Sequence, residues 1–290
     1  MSPLGPSLSR RGKTTLLVLA VAVLGASPAW AQADGASLTS TIVNSDRFKA
    51  LRAAVQDPAQ APAAPAPAAK PVKVLIGADM PTVYFFRGYR QEADPAFTFQ
   101  PFVDVGVAGE AASLNVGLWN SFHSGSLKDA DLGYYETDFY AAATVGLVKA
   151  TYTAYLYPEI DDSAIHEIMF SASFPHALAP SAAIAFEFAK PEGLDKGIYL
   201  ELGVAPAIPL GADAPVSITV PVKLGLSLKD YYGEDTFGYF SGGVTIGKTI
   251  NDHFEVHGGV LVYGFGDTLK AVNDDEGAEV VGSVGFSVGF

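Results

Sequence analysis

The chain has 290 residues, a formal net charge of -13 and no cysteine, and 49% of its residues are hydrophobic. Without cysteine it has no disulfide bridge, thiol nucleophile or cysteine-ligated metal. An acidic chain with few basic clusters also argues against nucleic acid as a partner, because lysine and arginine must neutralise phosphates.

The first residues have the features of a secretory signal peptide in the usual order. Basic residues at positions 10, 11 and 13 precede the apolar run 14–25 and the A-x-A cleavage site at 29–31. The apolar run is too short for a spanning helix, which needs about 20 residues. We therefore predict export through the inner membrane and removal of a signal peptide, residues 1–31.

A Pro/Ala-rich tract at 57–71 closes the next segment, residues 32–71. This composition cannot bury a core and is typical of a semi-extended linker. We predict a periplasmic arm here, and two interpretations stay open for it, a partial plug and a disordered tether.

From residue 72 to residue 290 the hydrophobic pattern has a period of two. In the last segment Val284, Phe286 and Phe290 alternate with small residues such as Ser287 and Gly289. Successive side chains of a strand point to opposite faces, so one face suits lipid and the other a lumen. The pattern predicts an all-β protein, a transmembrane antiparallel β-barrel in the outer membrane. We expect about twelve strands, at 72–90, 96–108, 111–122, 132–147, 149–158, 164–175, 180–190, 196–206, 214–226, 236–248, 252–264 and 276–290.

The connections between these strands alternate between tight turns and longer polar links. Turns near 109–110, 147–148 and 249–251 are short, whereas 123–131 and 265–275 are examples of the longer links. Short periplasmic turns and long outer loops are the expected asymmetry. An even number of strands then puts both chain ends in the periplasm.

The charged residues of the strands fall on the predicted lumen face. We predict that this face lines a pore. The pore-lining residues are the uncharged Trp119 and the charged Arg87, Glu136, Asp138, Glu167, Glu187, Glu201, Lys223 and Glu255. Acids outnumber bases, so the lumen is expected to prefer cations. The alternative is that these charges pair inside a closed lumen.

Aromatic residues cluster at the predicted outer strand ends, where rings favour the lipid headgroup zone. The groups are Tyr84 to Phe86, Tyr134-Tyr135, Tyr155 with Tyr157, Tyr231-Tyr232, and Tyr263. They predict an aromatic girdle, with ordinary strand propensity as the alternative.

The terminal Phe290, with Phe286 and Val284 before it, resembles the C-terminal signal that the outer-membrane barrel-assembly machinery reads. Residues 242–249 match a phosphate-loop pattern, but they lie in an alternating strand and no helix follows, so we predict no nucleotide site. His257 with a nearby strand serine leaves a barrel lipid hydrolase open as a minor alternative. We predict neither a cofactor nor a metal, and a protein that is not an enzyme.

Four stretches resemble, in order and spacing, the TorF-type porin family, a proteobacterial outer-membrane protein family of unknown function. They are Thr82-x-Tyr84-x-Phe86-Arg87-Gly88, Gly117-Leu118-Trp119-Asn120-Ser121, Glu136-x-Asp138-x-Tyr140 and Tyr155-x-Tyr157-Pro158. The chain departs from the family at Val83, where an acid is frequent, and at Ala141-Ala142, where a glycine is common. The resemblance implies a barrel and a porin role, and supplies no substrate.

These observations together predict a passive outer-membrane channel for small hydrophilic solutes or ions. Its expected partners are outer-membrane lipid, the barrel-assembly machinery and those solutes. The alternative is a non-conducting scaffold, a plugged barrel that displays loops outside and holds its arm toward a periplasmic partner.

Overall fold

The computed structural model describes residues 72–92, 95–109, 111–124, 134–158, 164–190, 195–210 and 215–290. The signal peptide and the arm predicted within 1–71 lie outside the described residues. Within the described ranges, no helix combines the length and the apolar character needed to cross a bilayer.

The described residues form β-strands and one short helix, numbered here in chain order. The elements are β1 (Val72–Pro81), β2 (Phe85–Phe86), β3 (Tyr89–Arg90), β4 (Thr98–Ala108), β5 (Ala112–His123), β6 (Tyr134–Val145), β7 (Val148–Leu156), β8 (Ile165–Ser173), β9 (Ser181–Ala189), β10 (Ile198–Val204), β11 (Val216–Thr219), β12 (Val222–Lys229), β13 (Phe237–Thr249), β14 (Phe254–Phe265), α1 (Asp267–Val272) and β15 (Ala278–Gly289).

The predicted barrel of twelve antiparallel strands is confirmed. Each wall strand pairs with its neighbours in the chain, and β1 closes the ring by pairing with β15, as Leu75 faces Gly289. Strands β11 and β12 form one wall strand, since both pair with β13 in the same register from Val216 to Gly225, where the register shifts. Pro221 interrupts this strand because proline has no N–H to donate to the ladder.

The two faces of the wall differ as the period of two predicts. On β15 the side chains of Val280 and Val284 point outward and are each 58% exposed, whereas Val281 and Ser287 are buried inside. An outward apolar surface around a closed ring of strands is the arrangement that outer-membrane barrels present to lipid.

The two ends of the barrel differ in their connections. The chain enters β1 and leaves β15 at the same end, called the turn end here, together with the short connections from β4 to β5 and from β6 to β7. The opposite end, called the loop end, carries longer connections, including 230–236 and the segment 266–277 that contains α1. The turn end also carries the connection 174–180, which is as long as 230–236, so the predicted asymmetry of short turns and long loops holds only in part.

The prediction of one strand over 72–90 is wrong in its second half. Strand β1 ends at Pro81, and residues 82–92, called the lumen insert here, turn into the barrel and form the two-residue hairpin of β2 and β3. Its bend is at Arg87 and Gly88, which have φ values of 44° and 84°. A hairpin turn needs such left-handed backbone, and a β-strand cannot contain it.

The predicted aromatic girdle is wrong for most of its members. The side chains of Tyr84, Phe85, Phe86, Tyr155, Tyr157, Tyr231, Tyr232 and Tyr263 are buried inside the barrel. Only Tyr135 keeps the predicted position, because it stacks on the outward-facing Phe122 with ring centroids 4.9 Å apart. The side chain of Tyr134 lies outside the described residues.

Candidate functional site

The lumen insert fills the loop-end half of the barrel and is the centre of the candidate site. Its strands close on each other, since the N–H of Gln91 donates to the carbonyl of Tyr84 at 2.8 Å. The N–H of Tyr84 donates to Glu92 Oε1 at 2.8 Å. Backbone groups taken out of water must find such partners, so the insert can remain folded inside the lumen.

The guanidinium of Arg87 forms a bidentate ion pair with Glu167 of β8. The Nη1 and Nη2 atoms lie 2.7 and 2.8 Å from the two carboxylate oxygens. The side chains are only 1% and 2% exposed. The Nη1 atom also donates to the hydroxyl of Tyr231 at 3.0 Å, and the hydroxyl of Tyr155 donates to Glu167 Oε1 at 3.0 Å. Paired N–H···O bonds to a carboxylate are among the strongest polar contacts in proteins.

Aromatic rings surround the same guanidinium. Its central carbon lies 4.2 Å from the ring centroid of Tyr199, 4.8 Å from that of Phe86 and 5.3 Å from that of Tyr231. Each ring face attracts a cation within about 6 Å, and the attraction grows when water is excluded. Arg87 therefore occupies a cage of one carboxylate and three rings.

Two connections at the loop end donate hydrogen bonds to the bend of the insert. The hydroxyl of Tyr232 donates to the carbonyl of Arg87 at 2.8 Å. The side-chain amide of Asn273, which follows α1, donates to the carbonyl of Gly88 at 2.8 Å. Two loops far apart in sequence thus fix the bend that carries Arg87.

The other predicted lumen residues also lie inside the barrel. Glu136 accepts hydrogen bonds from Tyr84 at 3.0 Å and from Tyr157 at 3.3 Å. Asp138 is buried beside it, and the ring of Trp119 packs 5.7 Å from that of Tyr84.

Further predicted charges form ion pairs within the barrel. Glu187 pairs with Lys190 at 2.8 Å, and Glu201 pairs with Lys223 at 3.2 Å. Glu255 is buried near the turn end. The structure therefore places every predicted lumen residue in the interior and links most of them by hydrogen bonds or ion pairs.

Tyrosine hydroxyls and the insert are the parts of the site that the sequence reasoning missed. Tyr199 and Tyr239 donate to Glu201 Oε2 at 2.8 and 2.9 Å, in addition to the tyrosines that bind Glu136 and Glu167. The alternating pattern of the sequence does indicate these tyrosines, because Tyr155 and Tyr199 lie on the same strand face as the predicted lumen acids. The consecutive aromatics at 84–86 also break the period of two, which signals the end of a strand.

The turn-end half of the interior is polar and is lined by half-buried side chains. Asp104 accepts from Asn115 at 2.8 Å and from Tyr140 at 2.8 Å. Lys149 faces the same carboxylate, and the side chain of Asn115 fills the space beside Gly106. This half therefore differs from the aromatic loop-end half, because its side chains are polar and only half-buried.

His257 has an acid partner inside the barrel. Its Nε2 atom lies 2.7 Å from Asp79 Oδ1, across the seam strand β15. Within the described residues its Nδ1 atom has no hydrogen-bond partner. The lipid-hydrolase alternative requires a serine hydroxyl bound to His257, and no such hydrogen bond is present among these residues. Gly285 lies below this pair, where a Cβ atom would overlap both side chains.

Comparisons with known proteins return structural neighbours alone. No family model and no curated protein match the chain, so the resemblance to the TorF-type porin family stays a prediction. The chain is structurally similar to an outer-membrane channel from Pseudomonas putida F1, with a TM-score of 0.46, 10% identity, and coverage of 81% of this chain and 99% of that chain. It is also similar to the KdgM porin, with a TM-score of 0.41, 8% identity, and coverage of 75% and 99%. The translocator domain of the autotransporter NalP from Neisseria meningitidis gives a TM-score of 0.34 at 10% identity, with coverage of 88% and 97%.

Proposed function

We propose that this protein is an outer-membrane channel for small hydrophilic solutes or ions, with a preference for cations. The observation that carries the proposal is a closed ring of twelve strands with an apolar outer surface and an acidic, partly polar interior. Such a ring crosses a bilayer without unpaired backbone groups, and its lumen offers the polar route.

The turn end would face the periplasm and the loop end the exterior. This orientation puts the exported chain's arm, residues 32–71, on the periplasmic side. The outward-facing Val284, Phe286 and Phe290 would be the positions that the barrel-assembly machinery reads, and lipid would cover the apolar band. A place in the TorF-type porin family fits this proposal.

The charge of the interior supports a preference for cations. Its carboxylates are Asp79, Glu92, Asp104, Glu136, Asp138, Glu167, Glu187, Glu201 and Glu255, and its bases are Arg87, Lys149, Lys190 and Lys223. A lumen with excess charge of one sign favours ions of the opposite sign. Twelve strands also enclose more than an eight-stranded barrel filled by side chains, and less than a porin of 16–18 strands.

The lumen insert would set the closed state of this channel. Arg87 and its neighbours block the loop-end half, so passage requires the insert to move aside. The second candidate function, a permanently plugged scaffold, is favoured by one observation, the extensive pairing of Arg87 inside the barrel.

A planar bilayer experiment separates the two candidates. Refolded mature protein is expected to give discrete current steps of modest size, with a reversal potential of cation sign in a salt gradient. The variant Arg87→Ala is expected to be open for a larger fraction of time. The matched control is Arg90→Ala in the same hairpin, because the partner of Arg90, Asp274, is 72% exposed. If the wild-type protein and both variants are folded but give no current, the result would favour the scaffold.

A further inference from the structure

We infer that Glu167, Tyr155, Tyr199 and Tyr231 form a binding site for guanidinium cations, which Arg87 fills in the closed state. A free guanidinium compound would compete with Arg87 for this site and open the barrel. This inference rests on the proposed channel function and adds a ligand class to it.

The site belongs to the wall and the loop end, and only its occupant belongs to the insert. Tyr155 lies on β7, Glu167 on β8 and Tyr199 on β10. Tyr231 lies in the connection between β12 and β13. All four side chains are buried, and strand pairing holds three of them in place. The three wall residues therefore persist if the insert leaves, and the site keeps its carboxylate and a ring face.

The geometry of the site selects a planar guanidinium over a compact ammonium ion. Glu167 receives two parallel N–H groups at 2.7 and 2.8 Å, and Tyr155 orients its carboxylate from the other side. Tyr199 lies against the guanidinium at 4.2 Å. A lysine-type cation has no rigid fork and no flat face, so it satisfies the carboxylate or the ring less well.

Two features make Arg87 replaceable by a free ligand. Its backbone adopts a left-handed conformation, with φ 44°, which a residue with a side chain rarely adopts. A free ligand does not carry this strain. Within the described residues no base other than Arg87 forms an ion pair with the buried Glu167, so departure of the insert leaves a carboxylate that needs a cation.

Competition of this kind opens the channel by mass action. A ligand that binds only the open state changes the ratio of open to closed barrels by the factor 1 + [L]/Kd. At a ligand concentration of 100 times Kd, the ratio rises about 100-fold. A ligand without preference for either state would leave the ratio unchanged.

The first test measures open probability in a planar bilayer with arginine or agmatine, and with lysine at the same concentration and ionic strength. Arginine and agmatine are expected to raise the open probability of the wild-type protein at least several-fold more than lysine does. Glu167→Gln is expected to abolish this difference, and Asp104→Asn, an acid of the turn-end half, is expected to keep it. Equal effects of arginine and lysine would overturn the inference.

The second test does not depend on conduction. Arg87→Ala removes the resident guanidinium, so millimolar ethylguanidinium is expected to raise the unfolding temperature of this variant by several degrees. Ethylammonium is the control cation, and neither compound is expected to stabilise the double variant Arg87→Ala/Glu167→Gln. If Arg87→Ala does not fold, Arg87→Lys takes its place in the same comparison.

The outcomes separate the inference from the proposed function. A conducting, folded Arg87→Ala barrel that ethylguanidinium does not stabilise contradicts the guanidinium site and leaves the channel intact. Stabilisation by ethylguanidinium in a barrel that never conducts supports the site and contradicts the channel.

Discussion

Replacing Arg87 by methionine removes the charge from the most deeply buried ion pair of the lumen and keeps most of the side-chain length. The carboxylate of Glu167 then loses two hydrogen bonds, at 2.7 and 2.8 Å, and stays buried with only the Tyr155 hydroxyl beside it. Breaking a buried pair from one side typically costs about 3–5 kcal/mol, whereas an exposed pair contributes about 0–1 kcal/mol. With both partners at most 2% exposed, we expect the buried value.

A double-mutant cycle isolates the contribution of the pair. Glu167→Leu alone leaves the guanidinium unpaired and is expected to cost a similar amount, while the double variant leaves no buried charge at this position. Its loss is therefore expected to be smaller than either single loss, with a coupling energy of at least about 3 kcal/mol, the upper end of the range for contacting residues.

The assay is urea unfolding of the barrel in lipid vesicles, followed by tryptophan fluorescence. The chain has two tryptophans, and Trp30 would leave with the signal peptide. Trp119, whose ring lies 5.7 Å from that of Tyr84, then reports on the insert directly. Arg90→Met is the control and is expected to cost less than about 1 kcal/mol, because Asp274, the ion-pair partner of Arg90, is 72% exposed and can be solvated by water when Arg90 is lost. A cost for Arg87→Met as small as that of the control would refute a strongly stabilising buried ion pair at this position.

Three further predictions concern other parts of the molecule. Gly285→Ala is expected to cost about 1–3 kcal/mol and to lower the yield of heat-modifiable folded barrel, because a Cβ atom would overlap Asp79 and His257; a wild-type yield would contradict this. Burial raises the pKa of Glu92, which lies outside the wall strands, from 4.5 to about 7 in the closed barrel. The closed state therefore holds more protons between these pH values, so open probability should rise with pH across that window, and Glu92→Gln should flatten the curve. Deleting 33–70 is expected to preserve or increase conductance, and loss of current from a folded deletion variant would assign the arm a role in conduction.

Hydroxyl groups explain how an acidic interior can be packed without an equal number of bases. Tyrosine donates to Glu136, Glu167 and Glu201 at distances of 2.8 to 3.3 Å. A buried carboxyl group without hydrogen-bond partners would bear the full cost of desolvation, so these hydroxyls offset part of the cost of burial. The alternative of complete pairing between opposite charges is therefore unnecessary for a closed lumen.

The sequence by itself determined the wall of this barrel. The period of two assigned the face of residues such as Glu167, Val284 and Glu255, and the spacing of turns gave twelve strands with both ends on one side. These properties are local, because a strand places alternate side chains on opposite faces wherever it lies. The lumen-face residues could be named for the same reason.

Only the tertiary structure decided what fills the lumen. The sequence around 82–90 favours a strand with outer aromatic residues, yet the chain turns inward at Arg87. The partners that hold it there are remote in sequence. Glu167 and Tyr231 follow Arg87 by 80 and 144 residues. A local pattern carries no information about which distant carboxylate meets which guanidinium. The direction in which this segment folds is therefore decided by contacts that exist only once the barrel has closed.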